Sequence, residues 1–108
     1  MPSSIARRRT RLPSADAVDA TVALFSTLSN SLRLQLLLTL SRRGELSAGE
    51  LEAAVGAEQS AVSHQLATLR RNRLVSARRD GRRMMYSLLD DHVAHVVEDA
   101  LKHANEGR

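Results

Sequence analysis

The stretch Gln59–Leu88, QSAVSHQLATLRRNRLVSARRDGRRMMYSL, decides the fold, because it predicts a helix followed directly by a β-hairpin. In its first half Val62, Leu66 and Leu69 recur every three or four residues, which places them on one face of a helix. We expect this helix to cover about Glu58 to Asn72. Its opposite face is polar and its end carries arginines, so one side suits a core and the other suits solvent or a partner.

The second half of the stretch predicts the hairpin. The residues from Leu74 to Arg79 alternate between apolar and polar, as a half-buried strand does. Asp80-Gly81 is a strong signal for a two-residue turn, and Arg83 to Leu88 predicts the return strand. Arginines on both sides of the turn would form a charged wing that reaches phosphates or the adjacent minor groove. They are Arg78, Arg79, Arg82 and Arg83.

A second short helix lies directly upstream. Ser47, with Glu50 three residues later, forms a capping box, which predicts a helix over about Ala48 to Val55. Gly56 makes the turn that follows, and two short helices joined around a glycine form a helix-turn-helix. Before the capping box, Glu45–Leu46 could form a very short strand.

Two longer helices and a final helix complete the expected fold. The first begins after the N-cap candidate Ser14, and Asn30 or Ser31 breaks the chain before the second. The second ends near Arg43 and is rich in leucine almost all round, which is typical of a central, buried helix. The last covers Asp90 to Asn105. The order α-α-α-α-β-β-α predicts a mainly α protein with a small β-hairpin, a winged helix-turn-helix.

The composition suits a small helical domain with an anionic partner. The chain has 108 residues, which fits one domain, and with one Phe, one Tyr and no Trp its core must be Leu, Val and Ala. A net charge of +4 and a pI of about 10.9 suit nucleic acid. No cysteine is present, which excludes disulfides, thiolate metal sites and cysteine nucleophiles.

The N-terminal composition sets the domain boundary. Residues 1–13 are rich in Ser, Pro and Arg without apolar periodicity, so we expect a disordered basic arm there. The arm is either a solvated tail or a weak phosphate contact. Residues 14–108 would form the winged helix-turn-helix domain, with first and last helices that dimerise. No apolar run reaches membrane-spanning length and no secretory signal is evident, so we expect a cytoplasmic protein without a membrane partner.

The polar face of the fourth helix is the candidate surface for reading DNA bases. Short hydrogen-bonding side chains near a helix N-terminus are what base recognition in a major groove requires. They are Gln59, Ser60, Ser63, His64 and Thr68. One alternative is an ordinary solvated helix face, although an arginine-rich segment follows at once. Another is an architectural nucleic-acid binder without sequence preference.

Residues with metal-ligand chemistry lie at both ends of the last helix. His92 and His103 are eleven residues apart, which at about 100° per residue returns them to within roughly 20° of the same face. They are also roughly 16 Å apart along the axis, whereas Zn–N bonds are about 2 Å, so one helix cannot supply both to one metal. An antiparallel second copy would bring Asp90 and His92 of one chain to His103 and Glu106 of the other, in two identical sites.

The same helix carries apolar residues that could form a dimer seam. They are Val93, Val96, Val97, Ala100, Leu101 and Ala104. The alternative for the ligand-type residues is that they are simply solvated on an ordinary terminal helix.

The stretch from Gln59 to Leu88 closely resembles the recognition helix and wing of ArsR–SmtB family transcriptional repressors. Leu24–Leu40, LFSTLSNSLRLQLLLTL, is similar to that family's first two helices, so the resemblance covers nearly the whole chain after the arm. It implies a homodimer that binds a palindromic double-stranded operator and releases it when metal binds. The family's last-helix motif is Asp-x-His, ten residues, then His-x-x-Glu or His-x-x-His. It matches Asp90, His92, His103 and Glu106 residue by residue.

The resemblance is strongest to the zinc and cobalt sensors of that family. Two imidazoles and two carboxylates make a closed four-ligand site, which suits tetrahedral Zn²⁺ and tolerates Co²⁺. Ni²⁺ is less favoured because it prefers more ligands, and only His95 is in reserve beyond the DNA face. The family's Cys-x-Cys site is absent, so sensing of arsenic, cadmium or lead by thiolates is not expected. The resemblance also implies that Gln59 relays changes at His103 to the DNA-reading helix.

The main alternative is a winged-helix regulator of the same fold that does not respond to metal and uses its terminal helices only to dimerise. A zinc enzyme is disfavoured, because a catalytic zinc usually has three protein ligands and an open position, whereas four ligands would fill this site. We therefore expect a protein without enzymatic activity.

Overall fold

Five α-helices and three short β-strands make up residues 11–107, the part of the chain that the structure, a computed structural model, describes. In chain order they are α1 (Ala15–Leu28), α2 (Ser31–Arg43), β1 (Leu46–Ser47), α3 (Ala48–Val55), α4 (Gln59–Arg71), β2 (Val75–Asp80), β3 (Arg83–Leu88) and α5 (Asp91–Ala104). The predicted winged helix-turn-helix is confirmed. Residues 1–10, most of the expected basic arm, lie outside the described residues. Within residues 11–107 no helix is long and apolar enough to cross a membrane.

The leucine-rich α2 forms the centre of the core, as its composition predicts. Leu36, Leu37 and Leu40 are buried on it. Its first turn is fixed by Asn30, whose side-chain oxygen accepts a hydrogen bond from the backbone N–H of Arg33 at 2.9 Å. The other buried side chains of this core come from later in the chain: Leu51, Val62, Leu66, Leu69, Leu74, Val75, Val93 and Val97. The core therefore joins α2 to the helix-turn-helix and to the last helix.

Helix α1 is attached to this core along one side only. None of its residues is fully buried, and only Leu24 and Leu28 pack against the core as partly buried side chains. On another face Val18, Val22 and Phe25 are 45%, 61% and 57% exposed. Their spacing of four and three residues places them in one stripe. A cluster of exposed large apolar side chains marks a surface for association.

The helix-turn-helix is built as predicted. The capping box of α3 is present, because the Glu50 backbone N–H donates to the Ser47 hydroxyl at 3.2 Å and the Ser47 backbone N–H donates to the Glu50 carboxylate at 2.8 Å. These bonds lower the pKa of Glu50, with the backbone bond from Ser47 as the largest cause. Gly56 ends α3 with a φ of 67°, a left-handed conformation that favours glycine.

The wing differs from the prediction in its turn and in its number of strands. Asp80 pairs with Arg83 in the ladder, so the two-residue loop is Gly81–Arg82 and not Asp80-Gly81. Gly81 takes the positive φ, 64°, at the first loop position, where tight hairpins accept glycine. In addition β1 pairs with β3, which makes a three-stranded antiparallel sheet in the order β1-β3-β2. The short strand predicted at Glu45–Leu46 is therefore shifted by one residue.

The last helix begins and ends one residue inside its predicted bounds. Asp90 is its N-cap, and the Asp90 carboxylate accepts a hydrogen bond from the Val93 backbone N–H at 3.2 Å. Val93 and Val97 are buried in the chain's own core, so the expected dimer seam is narrower than predicted. Of the other predicted seam residues, Val96 and Leu101 are half-buried, and Ala100 and Ala104 are exposed.

An ion pair fixes α5 against the end of α2. Glu98 accepts hydrogen bonds from Arg42 at 2.9 and 3.1 Å and from the Ser41 hydroxyl at 2.9 Å. Hydrogen bonds from Arg42, and secondarily from Ser41, hold the pKa of Glu98 below its usual range. The middle of the last helix is thereby attached to the end of α2.

Candidate nucleic-acid interface and metal-ligand pairs

The predicted base-reading side chains lie together on the exposed surface of α4. Gln59, Ser60, Ser63 and His64 are all exposed in the first half of the helix. At about 100° per residue these positions fall within an arc of about 140°. The opposite side of the helix carries the buried Val62, Leu66 and Leu69, as predicted.

Thr68 is a correction to the predicted face. It is only 9% exposed, and its hydroxyl donates a hydrogen bond to the His64 carbonyl at 3.2 Å. The same hydroxyl accepts a hydrogen bond from the Arg71 guanidinium at 3.2 Å. Its polar group is therefore satisfied inside the protein, which a helical-wheel argument could not foresee because the neighbouring elements bury this position.

In the described part of the chain, no side chain caps the start of α4. Its N-cap is Glu58, whose side chain accepts no hydrogen bond from the first turn. The first backbone N–H groups of a helix have no intrahelical partner, and the helix dipole is positive at this end. A DNA phosphate is the kind of group that such a terminus binds.

The arginines of the wing divide into two environments. Arg79, Arg82 and Arg83 are exposed near the hairpin turn. Arg78 instead forms a bidentate ion pair with Glu45, in which its Nε and Nη2 donate to the two carboxylate oxygens at 2.7 and 2.6 Å. The bond from Arg78 lowers the pKa of Glu45. The structure thus pairs Arg78, one of the four arginines predicted to contact DNA, with a carboxylate of the same chain.

We expect the substitution Glu45→Gln to strengthen DNA binding several-fold at low salt. It removes the carboxylate that holds Arg78, and with it one negative charge beside the wing, with little change in size. If Arg78 then reaches a phosphate, the slope of log affinity against log salt should steepen by up to about 0.9. Asp99→Asn changes the charge equally on the exposed side of α5 and is the matched control. Fluorescence anisotropy with one DNA duplex over a salt series measures both, and equal behaviour of the two variants would contradict a latent contact through Arg78.

A groove between α4 and β3 adds Ala67 and Tyr86, which sequence reasoning did not select, to the predicted polar surface of α4. This open groove of about 450 Å³ is lined by Ser63, Leu66, Ala67, Arg70, Arg71 and Tyr86. The register pairs Tyr86 with Ala77 and Met84 with Arg79, so Tyr86 and Arg79 share the sheet face that borders α4. The groove therefore extends the basic surface from α4 towards the wing.

The four predicted metal ligands form two pairs at opposite ends of α5. At its start the Nδ1 atom of His92 lies 3.6 Å from a carboxylate oxygen of Asp90, and the His92 side chain is 92% exposed. At its end His103 and Glu106 are exposed, and the Glu106 backbone N–H donates to the His103 carbonyl at 3.3 Å. Among residues 11–107 of one chain, no three His, Asp or Glu side chains lie close enough to hold a metal ion.

The donor chemistry of these pairs fits a divalent metal if a second chain completes the set. Imidazole nitrogen and carboxylate oxygen are ordinary ligands of Zn²⁺. Asp90 uses its Oδ1 atom to cap Val93, which leaves its second carboxylate oxygen for a ligand. The Asp90–His92 pair is exposed enough to meet another molecule.

A small apolar pocket lies beside the Asp90–His92 pair. Its volume is about 130 Å³, and it opens between α1 and α5. Besides Asp90 and His92 it is lined by Leu24, Leu28, Leu74, Val93, Val96 and Val97. The pocket thus lies between the core-facing side of α1 and the start of the last helix.

Comparison with known proteins identifies the family. The model of bacterial regulatory proteins of the arsR family matches residues 30–77, from the N-cap of α2 into β2. A transcriptional repressor SmtB homolog of Synechocystis sp. is 42% identical over 93 residues, which cover 86% of this chain and 70% of that protein.

Two solved structures agree with this assignment. The AntR antimony-specific transcriptional repressor has a TM-score of 0.82 at 36% identity, covering 91% of this chain and 88% of its own. The homodimeric winged helix-turn-helix domain of Mb0332 from Mycobacterium bovis has a TM-score of 0.77 at 30% identity, covering 85% of this chain and 84% of its own. The predicted resemblance is confirmed, as is the expectation that the chain is not an enzyme: it belongs to the ArsR family of bacterial regulatory proteins and is a winged-helix transcriptional regulator.

Proposed function

We propose that the protein is a homodimeric repressor that binds a palindromic double-stranded operator and releases it when zinc binds between the last helices of the two chains. The observation that carries the proposal is the division of the ligands into an Asp90–His92 pair and a His103–Glu106 pair about 16 Å apart on α5. Two antiparallel copies of α5 would join opposite pairs into two identical four-ligand sites.

The DNA-binding half of the proposal rests on α4 and the wing. Gln59, Ser60, Ser63 and His64 offer donors and acceptors for base edges, while the free start of α4 and the wing arginines suit phosphates. In a two-fold dimer the two copies of α4 would enter successive major grooves, about 34 Å apart, which is why a palindromic operator is expected. In a bacterium such a protein would work in the cytoplasm, where the chromosome lies.

The dimer half of the proposal rests on the exposed apolar surface of α1. Val18, Val22 and Phe25 are exposed on α1, and Leu24 and Leu28 of the same helix line the pocket beside Asp90 and His92. The Mb0332 domain, which has this fold, is a homodimer. A second copy that covers the stripe would also bring its own last helix next to these ligands.

Zinc is the metal that the donor set favours. Two imidazoles and two carboxylates suit tetrahedral coordination, cobalt is tolerated, and nickel is less favoured because it prefers more ligands. Bound zinc would supply a positive charge that attracts two ligands from each chain. Asp90 and His92 would then hold the start of one α5 against the end of the other, and the spacing of the two α4 helices would follow. By its resemblance to the family, Gln59 is our candidate for the relay from His103 to α4.

Zinc titration into a preformed protein–DNA complex tests the proposal. We would first select a binding sequence from a random duplex pool, then follow fluorescence anisotropy of the labelled duplex at fixed salt. We expect loss of binding at about two zinc ions per dimer, with a change in affinity of about 5–150-fold, the usual range of allosteric coupling. No change would reject metal sensing, and tighter binding would keep the site but reverse the sign of regulation.

A metal-independent regulator of the same fold is the second candidate. It is favoured by the Asp90 side chain, which already has a structural role as the N-cap of α5. In that case the terminal helices would serve only for dimerisation. Isothermal titration of the metal-free protein separates the two functions, because a flat zinc titration supports the second candidate and two equivalent sites per dimer support the first.

A further inference from the structure

One arginine side chain joins three helices of the domain. Arg33, in the first turn of α2, donates from Nε to the Gln65 side-chain oxygen on α4 at 2.7 Å. The same guanidinium donates from Nη1 to the Thr27 carbonyl at the end of α1 at 3.1 Å. Arg33 and Gln65 are both half-buried, so these bonds are partly shielded from water. Hydrogen bonds from a charged donor are stronger than neutral ones.

The bond to Thr27 completes the end of α1. The last four carbonyls of a helix have no intrahelical partner. Those of Phe25 and Ser26 accept from the Ser29 backbone N–H, and that of Leu28 accepts from Asn30. The carbonyl of Thr27 accepts from Arg33, so the end of α1 is held by a side chain that is also bound to α4.

The bond to Gln65 reaches α4 from the side away from DNA. Gln65 follows Ser63 by two residues, which at about 100° per residue places it about 200° around the helix from that reading residue. Arg33 therefore holds α4 from behind and does not lie on the reading face. Its own backbone is fixed by the Asn30 cap, so the guanidinium projects from a defined position.

Helix α1 has few other attachments through which it could influence α4. Only Leu24 and Leu28 of α1 pack against the core. We propose that Arg33 is a positioning residue, which sets the orientation of the reading helix α4 relative to α1 and so links dimer geometry to the recognition of DNA sequence. This inference rests on the proposed DNA-binding dimer but not on its metal site.

The test compares Arg33→Met with Arg43→Met, which removes the same charge from an exposed position on the same helix. The probes are the duplex selected by the wild-type protein and a scrambled duplex of equal length, measured by anisotropy at one salt concentration. For Arg33→Met we expect about a 10-fold loss of affinity for the selected duplex, the effect of losing a charge-assisted hydrogen bond. The affinity of Arg33→Met for the scrambled duplex should equal the affinity of Arg43→Met for the same duplex. Arg33→Lys should recover part of the loss, because one ammonium group can still reach one acceptor.

A second substitution shows whether Arg33 acts through Gln65. Gln65→Met removes the acceptor at similar volume, and the double variant Arg33→Met/Gln65→Met should lose little more than either single variant. If Arg33→Met does not fold, as judged by thermal unfolding, Gln65→Met alone tests the same bond.

Two results would overturn the inference by itself. One is an unchanged affinity for both duplexes in Arg33→Met and Gln65→Met. The other is an equal fold-loss of affinity for both duplexes, which would show that Arg33 affects DNA binding without affecting sequence recognition. A wild-type protein that selects no sequence at all would instead overturn the proposed function, and this inference with it.

Discussion

We expect the substitution Phe25→Glu to convert the proposed dimer into monomers and to weaken operator binding by about 100-fold or more. Phe25 is 57% exposed in the single chain and lies in one stripe with Val18 and Val22. Burying that exposed half is worth about 1.5 kcal/mol, and two-fold symmetry counts it twice, so about 3 kcal/mol or roughly 100-fold is lost. A glutamate adds the cost of burying a charge. A monomer would also contact only one half of a palindromic site.

The control for this prediction is Ala23→Glu. Ala23 is exposed on the same helix, about 160° around the axis from Phe25, so the variant adds the same charge away from the stripe. Sedimentation velocity gives the mass of each variant, and anisotropy gives its affinity for the selected duplex. If Phe25→Glu sediments as a dimer at the same concentration as Ala23→Glu, the exposed stripe of α1 is not the dimer interface.

The second large effect is expected for His103→Ala. This substitution should abolish the response of DNA binding to zinc while leaving the affinity of the metal-free protein for its operator unchanged. In the symmetric dimer it removes one imidazole from each of the two sites, and three-ligand sites bind zinc more weakly. The zinc-induced change, about 5–150-fold in the wild type, should therefore fall to about 1-fold.

His95→Ala provides the matched control, because it removes an exposed histidine from the same helix that is not among the four ligands. It should keep the response of the wild-type protein. Fluorescence anisotropy during zinc titration measures the DNA affinity of both variants, and isothermal titration measures how many zinc ions each variant binds. Release of DNA by His103→Ala at wild-type zinc concentrations would show that the ligand set is wrong, and loss of the response in His95→Ala would add that histidine to the set.

Much of the fold could be predicted from local signals. The leucines of α2, the capping box of Ser47 and Glu50 and the arginine-flanked turn each specify an element through neighbours within a few residues. Helix bounds were accurate to about one residue because caps such as Asn30 and Asp90 act on the adjacent turn. The hairpin turn was placed one residue early, because the ladder between β2 and β3 includes the pair Asp80–Arg83. Strand register depends on pairing across the whole hairpin and not on the turn residues alone.

The candidate site, too, could be predicted only in part from local sequence signals. Spacing along α5 was enough to identify Asp90, His92, His103 and Glu106 as two separated pairs, and the structure places the pairs at opposite ends of the helix. Whether they meet in a second chain stays a prediction. The exposed polar face of α4 was predicted except for Thr68, which the surrounding elements bury.

By itself the sequence determined the order of the elements, the leucine core and the family, since each of these depends on residue periodicity or on local motifs. Only the tertiary structure decided which polar groups already form hydrogen bonds or ion pairs with other groups of the same chain. Arg33 meets Gln65 and Arg78 meets Glu45 across 32 and 33 residues of chain, so no local pattern indicates either pair. The structure also decided that Arg73, between α4 and β2, has a φ of 60°, a left-handed conformation that costs a non-glycine residue about 1–2 kcal/mol. Such contacts and strains arise from the packing of elements that are distant in sequence, because the free energy of the whole fold outweighs the preference of any one residue.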